Sequence, residues 1–301
     1  MALRRWRRPA VLALLLAAVA TAATFADPRL HMRTPTYRYV FVFDISQSMN
    51  AEDANYDGKP GSRLEVAKRT TLEALMTLPC GTEAGLALFT GHRAFLLLTP
   101  IEICAHYREL RAVLQGISWR MAWEQRSEVA KGLYKSLALV AQLPRDTRLV
   151  FISDGHEAPP IDPEVPPRFT GHAGAVRGLV VGVGGDSPVS IPKFDESGAR
   201  RGEWSAQDFA DRAADWPHTA PPSEVANAHL SALKEPHLTA LAAQTGLTYL
   251  RLQDAAALAA QLRHDRLAIP RSEAVDVRAA FAALALVALL LSLLAQRGAR
   301  R

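Results

Sequence analysis

Only two cysteines, Cys80 and Cys104, occur in the 301 residues, and neither Cys-x-x-Cys nor any zinc-like spacing is present. No Gly-x-Ser-x-Gly turn and no glycine-rich phosphate loop occur either, which removes the usual signatures of serine hydrolases and nucleotide-binding enzymes. His156-Glu157 opens like a zinc-protease His-Glu-x-x-His motif, but position 160 is proline. An Asp-x-Asp phosphotransferase motif fails in the same way, because Ser46 follows two residues after Asp44. The chain has no internal repeat. No catalytic residue is therefore assigned, and a metal-dependent hydrolase stands only as a rival to a binding function.

The net charge of +5 and the pI near 9.4 suggest a nucleic-acid partner until the charges are located. Arg4, Arg5, Arg7 and Arg8 precede an apolar run, Pro9–Phe25, and Arg297, Arg300 and Arg301 follow another, Ala279–Ala295. Setting those seven of the 35 basic residues aside leaves 28 against 30 acidic ones, so the middle of the chain is slightly acidic. The basicity is topological, and no nucleic-acid partner is expected. Both runs approach the roughly 17–25 residues needed to span a bilayer. Arginines outside both runs put both termini in the cytoplasm and the middle segment outside it. The first run is read as a retained anchor. The alternative is a cleaved signal peptide, with Thr24-Phe25-Ala26 as its cleavage site.

In that middle segment, Tyr39-Val40-Phe41-Val42-Phe43 is a five-residue apolar run, the pattern of a strand buried on both faces. Asp44, Ser46 and Ser48 follow it at alternate positions, where an open α/β sheet places its ligand crevice. One carboxylate and two hydroxyls are hard oxygen donors suited to Mg²⁺ or Ca²⁺. A second buried strand, Leu149–Ser153, ends in Ser153-Asp154-Gly155.

Asp44-x-Ser46-x-Ser48 resembles the signature of the von Willebrand factor A (VWA) domain and its metal-ion-dependent adhesion site. Ser153-Asp154-Gly155 is similar to that family's fourth-strand motif. Arg126-Ser127-Glu128-Val129-Ala130-Lys131-Gly132-Leu133 resembles the loop-and-helix segment that usually carries threonine, with Ser127 in its place. The resemblance covers about residues 37 to 266. It implies an α/β fold with a doubly wound, mostly parallel sheet, and Mg²⁺ (or Ca²⁺) held by Ser46, Ser48 and Ser127, with Asp44 and Asp154 acting partly through water. It also implies an open coordination position filled by an acidic side chain of a protein partner.

Two apolar runs around one such domain look like bacterial membrane-bound VWA proteins, including the aerotolerance-associated Bat family. Leu78-Pro79-Cys80-Gly81, Phe89-Thr90-Gly91 and Met121-Ala122-Trp123 are closer to the VWA accessory proteins of methanol oxidation clusters, the MxaL type. That narrower resemblance implies maturation or metal loading of a periplasmic methanol dehydrogenase, together with sister membrane VWA proteins. The expected organisation is a basic tail (1–8), an anchor (9–26), a periplasmic VWA domain (37–266), an inner-membrane helix (279–295) and a second basic tail (296–301).

Further expectations follow along the chain. Asp27–Thr36 reads as a short polar linker. Asn50–Gly61 reads as an exposed loop beside the crevice whose Glu52, Asp53 and Asp57 are solvated, the other reading being that they supply extra oxygens to the metal through water. Ser62 is placed to cap a helix over Arg63–Leu78. Glu83–Phe89 and Ala94–Leu98 form a hairpin that supplies one antiparallel edge strand. If the helix and hairpin run as read, Cys80 and Cys104 meet at the end of the domain opposite the metal. They are either a disulfide, which export permits, or two buried thiols. Trp119 and Trp123 precede Ser127 and are candidates for partner contact, the other reading being that they pack on the sheet edge. Ser187–Val225 is a turn-rich excursion with a possible hairpin at Lys193–Trp204.

Overall fold

The computed structural model describes residues 2–195, 197–213, 216 and 222–298. The chain divides into two units, one formed by residues up to Thr34 and from Pro270 onward, the other by Pro35–Ile269.

The terminal unit opens with α1 (Ala2–Phe25) and β1 (Arg29–Thr36). The Pro35–Ile269 unit continues with β2 (Arg38–Asp44), β3 (Ala54–Tyr56), β4 (Lys59–Gly61), α2 (Arg63–Met76), β5 (Glu83–Thr90), β6 (Arg93–Glu102), α3 (Tyr107–Gly116) and α4 (Val129–Ala141). Then come β7 (Arg148–Ser153), β8 (Gly178–Gly182), β9 (Val189–Ser190), β10 (Pro192–Phe194), β11 (Arg200–Glu203), α5 (Ala206–Ala213), α6 (Pro222–Ala226) and β12 (Leu230–Ser231). The unit closes with α7 (Glu235–Thr245), β13 (Thr248–Arg251) and α8 (Ala255–Leu262), and β14 (Ile269–Asp276) leads to α9 (Arg278–Gly298).

The central sheet has the order β13-β8-β7-β2-β5-β6, parallel throughout except for the edge strand β6. The strand β2 is buried on both faces because its alternate residues feed two separate cores. Tyr39, Phe41 and Phe43 pack with Leu64, Leu75 and Leu258 from α2 and α8, while Val40 and Val42 pack with Leu133, Leu137 and Leu238 from α4 and α7. The chain leaves β2 first toward β5 and later returns to its other side with β7. The reversal of strand order, and hence the binding crevice of such a sheet, lies at the carboxyl end of β2. Gly132 lets α4 approach closely there, since a Cβ at that position would lie 2.0 Å from the Phe89 ring.

At the other end of the sheet Cys80 and Cys104 are joined by a disulfide with a Cα–Cα distance of 5.5 Å. Glu102 braces that corner by accepting from the backbone N–H groups of Gly81 and Ala105.

Three expectations change. Asp27–Thr36 is not merely a polar linker, because Arg29–Thr36 forms β1 and pairs with β14. Nor is Asn50–Gly61 a plain loop: β3 and β4 form a hairpin whose two-residue turn, Asp57-Gly58, has φ of 52° and 73°. Asp-Gly suits a turn needing positive φ at both central positions. Finally, one helix among the described residues, Arg278–Gln296, is long and apolar enough to cross a membrane; the apolar part of α1, Ala10–Phe25, is shorter. In that unit α1 and α9 run antiparallel, with Val277 N–H donating to Pro28 O and Ser292 Oγ donating to Ala10 O at 3.0 Å. Ala10, Ala17, Ala20, Ala288 and Ser292 are buried, whereas Leu12, Leu15, Leu290 and Leu294 are exposed. Arg300, Arg301 and part of the Ser187–Val225 excursion lie outside the described residues. Within that excursion, β10 and β11 form an antiparallel pair inside Lys193–Trp204 and its flank.

Candidate metal centre

Asp44 is the last residue of β2 and is fully buried. Its Oδ1 accepts from the backbone N–H of Ser46 at 2.9 Å, and its Oδ2 accepts from Ser153 Oγ at 2.6 Å. Ser48 belongs to a single 3-10 turn, Gln47–Asn50, which brings the Ser46 and Ser48 hydroxyl oxygens to 3.3 Å. Asp154 follows β7, also fully buried, and its Oδ1 accepts from the His156 N–H at 3.0 Å. Four of the five expected ligands thus share one hydrogen-bonded crevice.

The fifth, Ser127, lies between the loops after β5 and β7. Its backbone bridges to Gly91 on one side and to Ala158 on the other, exchanging two 2.8 Å hydrogen bonds with Ala158. Its hydroxyl is buried and has no hydrogen-bond partner among the described residues. A buried hydroxyl left unbonded is costly, and a metal ligated by this oxygen would relieve that cost. Glu157 holds the local backbone in place. Its carboxylate accepts from the N–H groups of Val129 and Ala130 at the start of α4 and pairs with His237 Nε2 at 3.0 Å.

Arg63, read from sequence only as a helix residue, is a central part of the site. It is fully buried, donates to both carboxylate oxygens of Asp53 at 2.7 and 2.6 Å, and reaches Asp154 Oδ2 at 2.5 Å. Ser231 completes the cluster, its hydroxyl donating to Asp154 Oδ2 at 3.1 Å and its carbonyl accepting from Arg63. Asp53 is therefore no solvated loop acid, and it also accepts from the Gly185 N–H. Glu52, by contrast, is exposed and pairs with Arg200. A cation in the first turn of a helix opposes the macrodipole, and at the start of α2 the Arg63 charge is offset by Asp53 and Asp154.

The electrostatics favour a divalent cation. Asp53 and Asp154 share the one Arg63 guanidinium, which leaves negative charge uncompensated when both are ionised. Burial, and then the charge of Asp154, push the Asp44 carboxyl up to about 7. Asp53 stays below the usual carboxylate range: its burial opposes ionisation, but the hydrogen bonds and charge of Arg63 outweigh it. Burial lowers the basicity of His156. Carboxylate and hydroxyl oxygens, a buried Ser127 hydroxyl without a partner among the described residues and unmet negative charge all fit Mg²⁺ or Ca²⁺.

The two tryptophans differ. Trp119 stacks on Phe194 of β10, with ring centroids 5.3 Å apart, so it packs against the excursion; Trp123 is 47% exposed.

No protein-family model matches the sequence. A UPF0353 protein of Mycobacterium sp. (strain KMS) is 27% identical over 173 residues, covering 54% of this chain and 48% of the relative. Another, from Mycolicibacterium vanbaalenii, is 29% identical over 174 residues with the same coverage. The chain spans about half the length of these curated relatives. Among solved structures, the conserved hypothetical protein BatB from Bacteroides thetaiotaomicron superposes with a TM-score of 0.50 at 18% identity, over 77% of this chain and 98% of that one. The shared property is the fold. What chain and neighbour have in common is a mixed α/β architecture with a central, mostly parallel sheet.

Proposed function

We propose that the Pro35–Ile269 unit is a membrane-tethered binding module that recognises an acidic side chain of a protein partner through a divalent cation. Ser46, Ser48 and Ser127 would hold the ion directly, and Asp44 and Asp154 partly through water. When bound, the cation supplies an electrophilic position that a carboxylate fills. The chain's own residues set the geometry: Ser153 orients Asp44, Arg63 and Ser231 orient Asp154, and Glu157 fixes the loop carrying Ser127. The single observation that carries this reading is the pair of buried carboxylates, Asp44 and Asp154, at the carboxyl ends of adjacent strands, with the Ser127 hydroxyl buried and without a hydrogen-bond partner among the described residues. A binding function rather than turnover is favoured because the crevice offers no paired nucleophile and base.

The same reading places the module in the periplasm, anchored in the bacterial inner membrane by α9. An envelope scaffold of Bat type is supported by the likeness in fold to BatB. Maturation of a periplasmic dehydrogenase rests on the short motifs around Cys80, Phe89 and Trp123 alone. Affinity capture from native membranes, comparing wild type, Asp154→Ala and chelator-treated samples by mass spectrometry, tests both. Partners lost in the variant and with chelator support metal-dependent recognition, and their identity separates a dehydrogenase from sister membrane proteins. Partners retained equally in all three samples overturn it.

A further inference from the structure

Beside the candidate metal crevice lies a cavity of about 670 Å³. One wall follows directly from Asp154 and includes His156, Pro160 and Ile161; the other is formed by Ala228, Leu230 and Ala232. This volume is in the range of pockets that enclose a small ligand or a few peptide residues. The two walls are not independent of the metal crevice. Ser231, between Leu230 and Ala232, donates to Asp154, and the Lys234 N–H donates to the Asp154 carbonyl at 2.8 Å. Lys234 lines the cavity, is exposed, and pairs with no acid among the described residues. His237, also in the lining, is already engaged by Glu157.

We infer that this cavity takes an apolar side chain of the partner, immediately adjacent in sequence to the acidic residue that enters the metal crevice. The inference rests on the binding function proposed above and adds the chemistry of the partner: an extended segment with a carboxylate flanked by aliphatic residues. The proline, isoleucine, alanine and leucine side chains of its walls offer apolar surface that suits an aliphatic side chain, with Glu157, Ser223 and Asn227 among the polar residues that also line it. The unpaired Lys234 ammonium at the rim complements the negative charge of such a segment. Continuity of the cavity wall with Asp154 means that a chain reaching the crevice need travel only a residue or so to place its neighbour in the cavity.

The test uses the full chain in lipid nanodiscs and a fluorescein-labelled peptide, Leu-Leu-Asp-Leu-Leu, read by anisotropy against empty nanodiscs. Expected is Mg²⁺-dependent binding that weakens at least tenfold in Ala232→Trp, which fills the cavity, and severalfold in Lys234→Met, an exposed change that spares the core. Both variants should keep the wild-type rise in melting temperature with Mg²⁺. A peptide with serine in place of leucine should bind as weakly to wild type as the parent peptide does to Ala232→Trp. Binding that is Mg²⁺-dependent but equal in wild type and both variants overturns the cavity while leaving the metal reading intact. Binding lost in Ala232→Trp but indifferent to Mg²⁺ and chelator supports the cavity and overturns the metal reading. Absence of binding at millimolar peptide, or binding of 4-methylpentanoate without binding of the peptide, overturns the inference.

Discussion

Arg63 Nη1 lies 2.5 Å from Asp154 Oδ2, and both side chains are fully withdrawn from solvent. This pair joins the start of α2 to the residue that follows β7, and gives the crevice a fixed positive charge. Both Asp154 oxygens are engaged by the protein, Oδ2 by Arg63 and Ser231 and Oδ1 by the His156 N–H, consistent with a carboxylate that acts on a metal through water.

Replacing Arg63 with methionine keeps much of the bulk and removes the charge. Asp53 and Asp154 are then buried without their counter-ion, an arrangement that costs about 3–5 kcal/mol. The variant should melt well below wild type in chelator and recover more of its stability than wild type does on adding Mg²⁺. Paired thermal melts measure both effects. Equal Mg²⁺ gains in the two proteins would show that Arg63 and the cation do not share a carboxylate.

Asp44 sets a pH dependence in the chelated protein. Its folded-state pKa is raised, so the folded chain holds a proton that the unfolded chain releases near the ordinary carboxylate value of about 4. The stability it contributes is complete below that value and is lost as pH rises through about 7. Melting temperature in chelator should fall from pH 5 to pH 8, with a smaller fall in Asp44→Asn. Added Mg²⁺ should stabilise wild type more at pH 8 than at pH 5.

The disulfide stands at the opposite end of the sheet. Cys80 and Cys104 are 24 residues apart, and closing a loop of that size stabilises by about 3 kcal/mol in the chain-entropy account. The double serine variant should lose melting temperature by that order and retain wild-type Mg²⁺ affinity, as calorimetry would register. A collapse of metal affinity would mean that the two ends of the sheet are coupled.

Much of this site was legible before folding was considered. Asp44, Ser46, Ser48 and Asp154 lie on or just beyond apolar strands, and strand ends in a parallel sheet are places where chemistry collects. Arg63 and Ser231 were not legible as site residues, because they come from a helix start and from a short strand beyond a long excursion. No local spacing relates residues brought together only by tertiary packing. The β3–β4 hairpin had a local signal, Asp57-Gly58, which its short, polar flanks obscured. β1 and β14 had none, since two strands more than 230 residues apart depend on each other for pairing. Trp119 shows the same limit: its partner Phe194 lies in the excursion.

The helix pair α1–α9 offers a test of its own. Ala10 and Ser292 are in hydrogen-bonding contact, so a chain carrying Ala10→Cys and Ser292→Cys should cross-link on mild oxidation in native membranes. Mass spectrometry would identify the linked peptides. A mature chain beginning at Asp27 would instead show that the first run is removed.

The central claim is a divalent cation held by Asp44, Ser46, Ser48, Ser127 and Asp154, and Mn²⁺ titration of the full chain followed by electron paramagnetic resonance addresses it directly. The account predicts a single saturable site that Mg²⁺ displaces, weakened in Ser127→Ala and lost in Asp44→Asn. No saturable Mn²⁺ binding by the folded wild-type chain, or binding unchanged in both variants, would contradict it.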